Sequence, residues 1–279
     1  MLLVSLTTTA QRLPLCRMAL MSIATQTCLP DKIIVWVSDQ PYLRDTGIAD
    51  PAVLETVTGD LGALADRVEF RWTENQGPYR KLMPLLRVCE DEDLIVTADD
   101  DIFYGREWLA TLVAGFDSDK RQVPALRVRA VRHGPTGKPR TYLSWPIIKE
   151  AGVWQRDLII TFGGGAVLKK DFFASGDLDN QDYMRVAPTA DDLWYSRLLL
   201  NNGVSVRCLP GGLDELGFVL HGEGLRNDNL PRVRNFIHLW KWRLIDKPRE
   251  YLGYPVCEND WVYRRIQAYF NDKPAGVKG

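Results

Sequence analysis

Five apolar residues in succession, Ile33-Ile34-Val35-Trp36-Val37, constrain this chain more than any other feature. Neighbouring side chains of a strand point to opposite faces, so a strand that is apolar at every position must be covered on both. A mostly parallel sheet with helices on each side supplies that cover. Similar runs lie at residues 2–6, 68–72 and 94–97, and helical patterns over residues 13–25 and 81–89 fall between them. In the first helix Pro14 sits near the start, where a missing N–H is harmless, and Leu15, Ala19 and Ile23 are spaced four apart on one face. The expected fold class is therefore α/β, a Rossmann-like, mostly parallel sheet with helices on both faces. Beyond about residue 120 the pattern loosens into strands over 123–131, 141–145 and 158–161, separated by turns such as His133-Gly134-Pro135-Thr136-Gly137. That predicts antiparallel additions in the second half. A helix over 190–201, closed by Asn202-Gly203, and a strand over 204–209 follow.

Composition removes several classes of function. Lys and Arg number 35 against 36 Asp and Glu, a formal net charge of -1, so no global field recruits nucleic acid. The five cysteines are odd in number and lack a C-x-x-C spacing, which argues against a disulfide framework and a zinc site and fits a cytoplasmic setting. The short apolar start has no basic n-region and runs straight into Thr7-Thr8-Thr9, so it reads as a first strand rather than a signal peptide or membrane span.

Chemistry concentrates at strand ends. Residues 94–97 run into Asp99-Asp100-Asp101, and clustered carboxylates need a cation or an exposed site. In an extended chain positions i and i+2 point the same way, so Asp99 and Asp101 converge on one cation while Asp100 faces elsewhere, toward nucleotide or sugar. Hard oxygen ligands select Mg²⁺ or Mn²⁺, whose shell is commonly completed by water and substrate phosphates. Ligands of open α/β sheets bind beyond the carboxyl ends of the strands, where Thr7, Thr8 and Arg12 after strand one and Asp39 after strand two offer groups for a base, a ribose and phosphate. Arg80 and Lys81 open a helix whose N-terminus attracts anions, the bland alternative being an exposed basic helix start. Gly164 and Gly165, within three consecutive glycines, permit close backbone approach to a ligand, here a sugar pocket, or else form a simple tight hairpin.

Thr189 with Asp192 three residues later resembles a capping box, which explains at most one of the two acids Asp191 and Asp192. A carboxylate at a helix start facing a cleft also serves as a general base. His221, after a further apolar strand, is a candidate third metal ligand, ahead of His133 and His238. Trp145, Trp154 and Trp194 are candidates for stacking on sugar rings or for core packing.

Taken together the blocks resemble the GT-A-fold glycosyltransferases, particularly the bacterial family-two-like enzymes that build capsule and lipopolysaccharide glycans. Three blocks carry the resemblance: Val4-Ser5-Leu6-Thr7-Thr8 through Ser22-Ile23-Ala24-Thr25-Gln26-Thr27 and Pro30-Asp31-Lys32-Ile33-Ile34-Val35 to Asp39; Asp99-Asp100-Asp101, where a D-x-D motif is expected; and Thr189-Ala190-Asp191-Asp192. It departs where Gln40-Pro41 follow Asp39 in place of Gly-Ser, and no Q-x-x-R-W run occurs, which speaks against a processive synthase. The resemblance implies a GT-A catalytic domain over 1–225, with a nucleotide-binding half (1–115) and an acceptor half (116–225). An aromatic and basic appendage over 226–279 would pack on it as a helix, cover the acceptor cleft or touch the inner face of a membrane. It further implies transfer from a nucleotide-sugar donor to a glycan or lipid-linked saccharide by metal-dependent displacement, with Asp191 or Asp192 as base, Asp39 reading the nucleobase and Asp99 with Asp101 holding the metal. Inversion is the expected course and retention stays open. The rival readings are a nucleotidyltransferase acting on sugar phosphates, which would need a Gly-rich loop where Thr7-Thr8-Thr9 stands, and a non-catalytic carbohydrate-binding protein, which would not need the acids.

Overall fold

A computed structural model describes residues 1–59, 61–219 and 250–272. The strands are β1 (Leu2–Thr7), β2 (Lys32–Val37), β3 (Val68–Trp72), β4 (Leu94–Thr97), β5 (Ile102–Tyr104), β6 (Gln122–Ala125), β7 (Val128–Ala130), β8 (Gly152–Trp154), β9 (Leu158–Ile160), β10 (Val167–Leu168), β11 (Ser205–Cys208) and β12 (Leu216–Phe218). The helices are α1 (Leu13–Ala24), α2 (Glu55–Thr58), α3 (Met83–Val88), α4 (Trp108–Ala114), α5 (Ser175–Asp179), α6 (Tyr183–Val186), α7 (Asp191–Asn201) and α8 (Glu258–Asp272). The main sheet has the order β10-β4-β1-β2-β3. Its strands β4, β1, β2 and β3 are parallel and β10 is antiparallel to β4. The α/β class and the antiparallel additions read from the sequence are both present.

This order creates the site. The chain builds β1, β2 and β3 in one direction and then crosses back to lay β4 on the other side of β1. The loops leaving the carboxyl ends of β1 and β4 consequently diverge, which opens a crevice at this switch of direction. The run from Ile33 to Val37 is buried throughout, and the two faces of the sheet feed two cores. Ile34 and Trp36 point into one, with Tyr79, Leu82 and Tyr195, while Ile33, Val35 and Val37 point into the other, with Leu20, Ile23 and Trp108.

Several local readings need correction. The buried face of α1 is Leu13, Cys16, Ala19, Leu20 and Ile23, with Leu15 turned partly outward. The single strand expected over 123–131 is two strands in different sheets: β6 pairs with β11 and β7 with β9, and Leu126 and Arg127 make the step between them. The two ends of that step are held by Gly165 O accepting from Leu126 N (3.3 Å) and Arg127 O accepting from Thr161 N (2.9 Å). Residues 141–145 are no strand but a 3₁₀ turn, Tyr142–Ser144, because the Thr141 and Ser144 hydroxyls bond local backbone and compete with a ladder.

The helix α8 lies against α7, its Tyr269 and Phe270 packing on Trp194 at ring-centroid distances of 5.3 and 5.1 Å. The aromatic and aliphatic residues Phe236, Leu239, Trp240, Trp242 and Leu244, and the basic Arg232, Arg234, Lys241 and Arg243 among them, like His221 and His238, lie outside the described residues. Among the described residues no helix is long and apolar enough to cross a membrane.

Gly165 has φ +102°, and a Cβ there would come within 2.6 Å of both Leu112 Cδ1 and Trp108 Nε1. Gly165→Ala should therefore cost about 2–4 kcal/mol from strained backbone and overpacking. Urea unfolding would measure it as a lower midpoint at unchanged m-value.

Candidate active site

The crevice is a cavity of about 460 Å³ bordered by the loops after β1 and β4, the segment before α3, the glycine turn before β10 and the start of α7. Asp99, Asp100 and Asp101 do not continue β4. They form a turn between β4 and β5, so the alternation of an extended strand does not govern where their carboxylates point.

The outcome differs from the pairing expected of i and i+2. Asp100 and Asp101 share one cation, Arg12, which contacts Asp100 Oδ1 closely and Asp101 Oδ2 at 2.9 Å. Asp99 instead takes a hydrogen bond of 2.9 Å from Lys81 Nζ, and the same ammonium lies 3.0 Å from Asp191 Oδ2. Asp100 is the buried member, its side chain 3% exposed and its Oδ2 accepting from Thr8 Oγ1 at 2.7 Å. Asp99 and Asp101 keep 35% and 26% of their side-chain surface open.

Arg80 and Lys81 are not an exposed helix start. They close a 3₁₀ turn, Gly77–Lys81, and are buried. Arg80 donates to Asp45 Oδ2 at 2.8 Å and to Thr8 O at 3.2 Å, so its charge is held in a network rather than presented at a helix terminus. Asp45 is a cavity residue that the sequence reading missed, and Asp39 is not one. The chain after β2 loops outward and returns: Ile48 N donates to Ser38 O at 2.8 Å, and Gly47 lies so close to Asp39 O that a Cβ would clash. Asp39 is left exposed, and Asp45, accepting from Gly47, Asn75 and Arg80, stands at the cavity wall instead. The Asn75 to Lys81 stretch was the available clue, since its polar residues need buried partners.

Thr7 and Thr8 line the cavity, though their hydroxyls donate to Trp36 O and Asp100. Gly164 lines it and Gly165 does not. Gly163 is more telling than either, because a Cβ there would collide with Asp99 Oδ2. The glycines thus make room for the acid turn, whose backbone is pinned by Tyr104: its hydroxyl accepts from Asp99 N (2.7 Å) and donates to Gly163 O (2.8 Å).

At the opposite lip no capping box forms. The N-cap of α7 is Ala190, and no side chain caps it. Asp192 Oδ1 accepts from Phe162 N at 3.0 Å, fixing the carboxylate across the cavity rather than on its own helix. Trp145 and Trp194 are buried in the core and Trp154 is on β8, away from the cavity. The aromatic rings that border it are Tyr42, Tyr142 and Phe218. His133 is at the surface, 3.8 Å from Asp157.

Electrostatics separate the acids. Burial works against the ionised Asp99, but Lys81 outweighs it and holds this carboxyl below the usual range. Burial raises Asp191, opposed by Lys81 and reinforced by Asp99. Burial, with Asp191 adding to it and Lys81 opposing, pushes Asp192 up to about 7. Asp100 also rises to about 7, chiefly by burial against the pull of Arg12. Burial likewise raises the Tyr142 phenol, opposed by Arg129 and Arg127 and reinforced by Asp192, so each of these three groups acts on the phenol.

No protein-family model matches the sequence, and no curated protein sequence matches it either. Solved structures do. The mannosyltransferase PcManGT from Pyrobaculum calidifontis, in complex with GDP-Man and Mn²⁺, superposes with a TM-score of 0.51 at 16% identity, covering 99% of this chain and 76% of that one. GalNAc-T7 with UDP, GalNAc and Mn²⁺ gives 0.51 at 12% identity over 88% of this chain, and TarS 1–349 of S. aureus gives 0.50 at 16% over 75%. This chain spans about half of the GalNAc-T7 chain (48%) and 58% of the TarS one. At such identities the likeness defines the fold, and the fold is that of the GT-A glycosyltransferases.

Two outcomes follow for stability. Lys81→Met leaves Asp99 and Asp191 facing each other without a cation and should cost about 3–5 kcal/mol, with part recovered in Lys81→Met/Asp191→Asn, as read by urea unfolding. For Asp100 and Asp192 the folded pKa lies above the ordinary one, so between about pH 4 and 7 the folded state holds protons that the unfolded state releases. These two groups therefore destabilise the ligand-free protein as pH rises through that window. Asp100→Asn should lessen the decline, measured as melting temperature at pH 5 against pH 7.5.

Proposed function

We propose that the protein is a metal-dependent glycosyltransferase that moves a sugar from a nucleotide-sugar donor to a hydroxyl of a glycan or lipid-linked saccharide. One observation carries the reading. A single cavity at the switch of strand order has an acid turn on one side and, across it, a carboxylate that titrates near neutrality. The two sides are joined by one buried ammonium. The fold shared with PcManGT and GalNAc-T7, solved with a sugar nucleotide or with UDP and a sugar, supports it.

Asp99 and Asp101 are the residues to hold a divalent cation, Mn²⁺ or Mg²⁺. Each has an oxygen engaged, Asp99 by Lys81 and Asp101 by Arg12, but keeps 35% and 26% of its side-chain surface open, whereas both Asp100 oxygens are taken up by Thr8 and Arg12 and its side chain is 3% exposed. Two carboxylates leave the remainder of the cation's shell to water and donor phosphates. Such a cation supplies charge neutralisation for the departing nucleoside diphosphate. Arg12 fixes the acid turn by bridging Asp100 and Asp101. Arg80, anchored by Asp45, adds positive potential at the donor end.

Asp192 is the better base of the acidic pair. Asp191 is engaged by Lys81, while Asp192 lines the cavity with one oxygen held by Phe162 N–H, which leaves the carboxylate to take a proton from the acceptor hydroxyl in this reading. Its carboxyl near 7 is matched to proton transfer at neutral pH. Attack of that hydroxyl on the anomeric carbon, opposite the leaving diphosphate, gives inversion.

Asp99→Ala or Asp101→Ala should abolish Mn²⁺-dependent binding of nucleotide sugars in calorimetry with the fold retained by circular dichroism; wild-type binding by these variants would sink the metal assignment. Asp192→Asn should lower kcat by about 10²–10⁴ with donor affinity unchanged. The base must be ionised to act, so the wild-type rate should climb as pH rises through about 7, and that limb should vanish in the variant.

A further inference from the structure

The cavity contains cationic and polar groups that the donor and the reacting acids leave unused. Arg12 is matched by Asp100 and Asp101, Arg80 by Asp45, and Lys81 by Asp99 and Asp191. Arg129 is different. Its contacts are neutral: Nη1 donates to Trp145 O at 2.8 Å, and the guanidinium lies over the Tyr142 ring at 5.1 Å from its centroid. Its Nε is buried and donates to nothing among the described residues, as holds too for Arg12 Nε and Arg80 Nη1, so what sets Arg129 apart is that no carboxylate among the described residues pairs with it. Arg127, two positions earlier beside β7, lines the same cavity and stacks on Phe218 at 4.8 Å.

These groups belong to the side of the cavity where Asp192 stands. Arg127 O accepts from both Thr161 N and Thr161 Oγ1 at 2.9 Å, and the next residue, Phe162, binds Asp192 through its N–H. A second unsatisfied group completes the wall. Asn259, only 9% exposed, lines the cavity with an Oδ1 that accepts from nothing among the described residues. It is held there because its neighbour Asp260 accepts from Thr141 Oγ1 (2.7 Å) and Tyr142 N (2.6 Å), clamping the start of α8 to the turn that carries Tyr142.

A buried guanidinium nitrogen without an acceptor and a buried amide oxygen without a donor are each costly unless a ligand answers them. The ligand that answers both carries an oxyanion and a hydroxyl. We propose that the acceptor is anionic: a phosphate or carboxylate on the acceptor saccharide seats against Arg129, with Arg127 beside it, while a hydroxyl of the same residue donates to Asn259 and another is presented to Asp192. This rests on the reading of the cavity as a sugar-transfer site and names the acceptor class for it. Arginine suits the task, since its planar fork matches an oxyanion in two contacts.

The test is equilibrium binding to the full chain in the presence of Mn²⁺ and a nucleoside diphosphate. The probes are a neutral methyl hexoside, its 6-phosphate and the corresponding methyl uronide. At least one of the anionic probes should bind about tenfold or more tightly than the neutral parent, the amount one charge-assisted contact contributes; which one does so identifies the oxyanion. Arg129→Gln should erase the preference, Arg129→Lys should restore part of it, and nucleoside diphosphate binding should be unchanged in both. Asn259→Asp, which sets a carboxylate beside the oxyanion, should also remove the preference and serves if Arg129→Gln does not fold. Equal binding of neutral and anionic probes, no binding of any, or a preference that survives both Arg129→Gln and Asn259→Asp would overturn the proposal. Failure of the wild type to bind any nucleotide sugar would instead count against the sugar-transfer reading, and the two failures are read separately.

Discussion

The Lys81 ammonium is the contact on which the site depends. It is a buried cation joining Asp99, at the end of β4, to Asp191, at the start of α7, residues 92 apart in the chain. Its own backbone carbonyl accepts from the Ser5 hydroxyl, so the group that holds the two acids is itself anchored to the central strand. A buried ammonium and a buried carboxylate beside a partly open one are expensive, and the expense is contained only because each has an opposite charge at about 3 Å. Asp192 and Asp100, which lack an equal share of positive charge, show the remainder as carboxyls raised to about 7. A site that is uncomfortable when empty is one in which a cationic or proton-donating ligand gains affinity.

Behind α7 an aromatic core gives the acids a rigid mount. Tyr79 stacks on Tyr183 at 4.3 Å and meets Tyr195 edge-on at 5.5 Å. Their hydroxyls are spent on structure: Tyr79 donates to Ala187 O, Tyr183 to Gln76 Oε1 and Tyr195 to Tyr79 O. The segment carrying Arg80 and Lys81 and the approach to α7 are thereby locked together. Trp194 passes the packing on to Tyr269 and Phe270 of α8, whose first turn places Asn259 at the cavity. The second half of the chain therefore builds the wall opposite the acid turn from α7, β7 and α8, elements distant in sequence.

Fold and site were legible to different depths. The parallel strands announced themselves because an apolar run covered on both faces has few other uses, and the acids at 99–101 and 191–192 stood out because carboxylates at strand and helix ends need a reason. Local patterns failed where a neighbour overruled them. The i and i+2 rule broke at Asp99 to Asp101 because the chain turns there, and the capping box at Thr189 failed because the helix begins one residue later, with Ala190 as N-cap and Asp192 bound to Phe162 N–H. Asp39 lost the cavity to Asp45 because the loop after β2 folds back on itself, which depends on a hydrogen bond from Ile48 to Ser38 rather than on any motif.

By itself, then, the sequence determined the layering of the sheet, the strand ends that carry acids and the presence of a cleft between them, because these follow from periodicity and the cost of burying charge. Only the tertiary structure decided which cation meets which carboxylate. Lys81 and not Arg12 reaches Asp99, Arg12 holds Asp100 and Asp101 together, and Arg129 lines the cavity with no carboxylate partner among the described residues. Those assignments are set by distances of about 3 Å between residues tens of positions apart, and no local pattern encodes a distance.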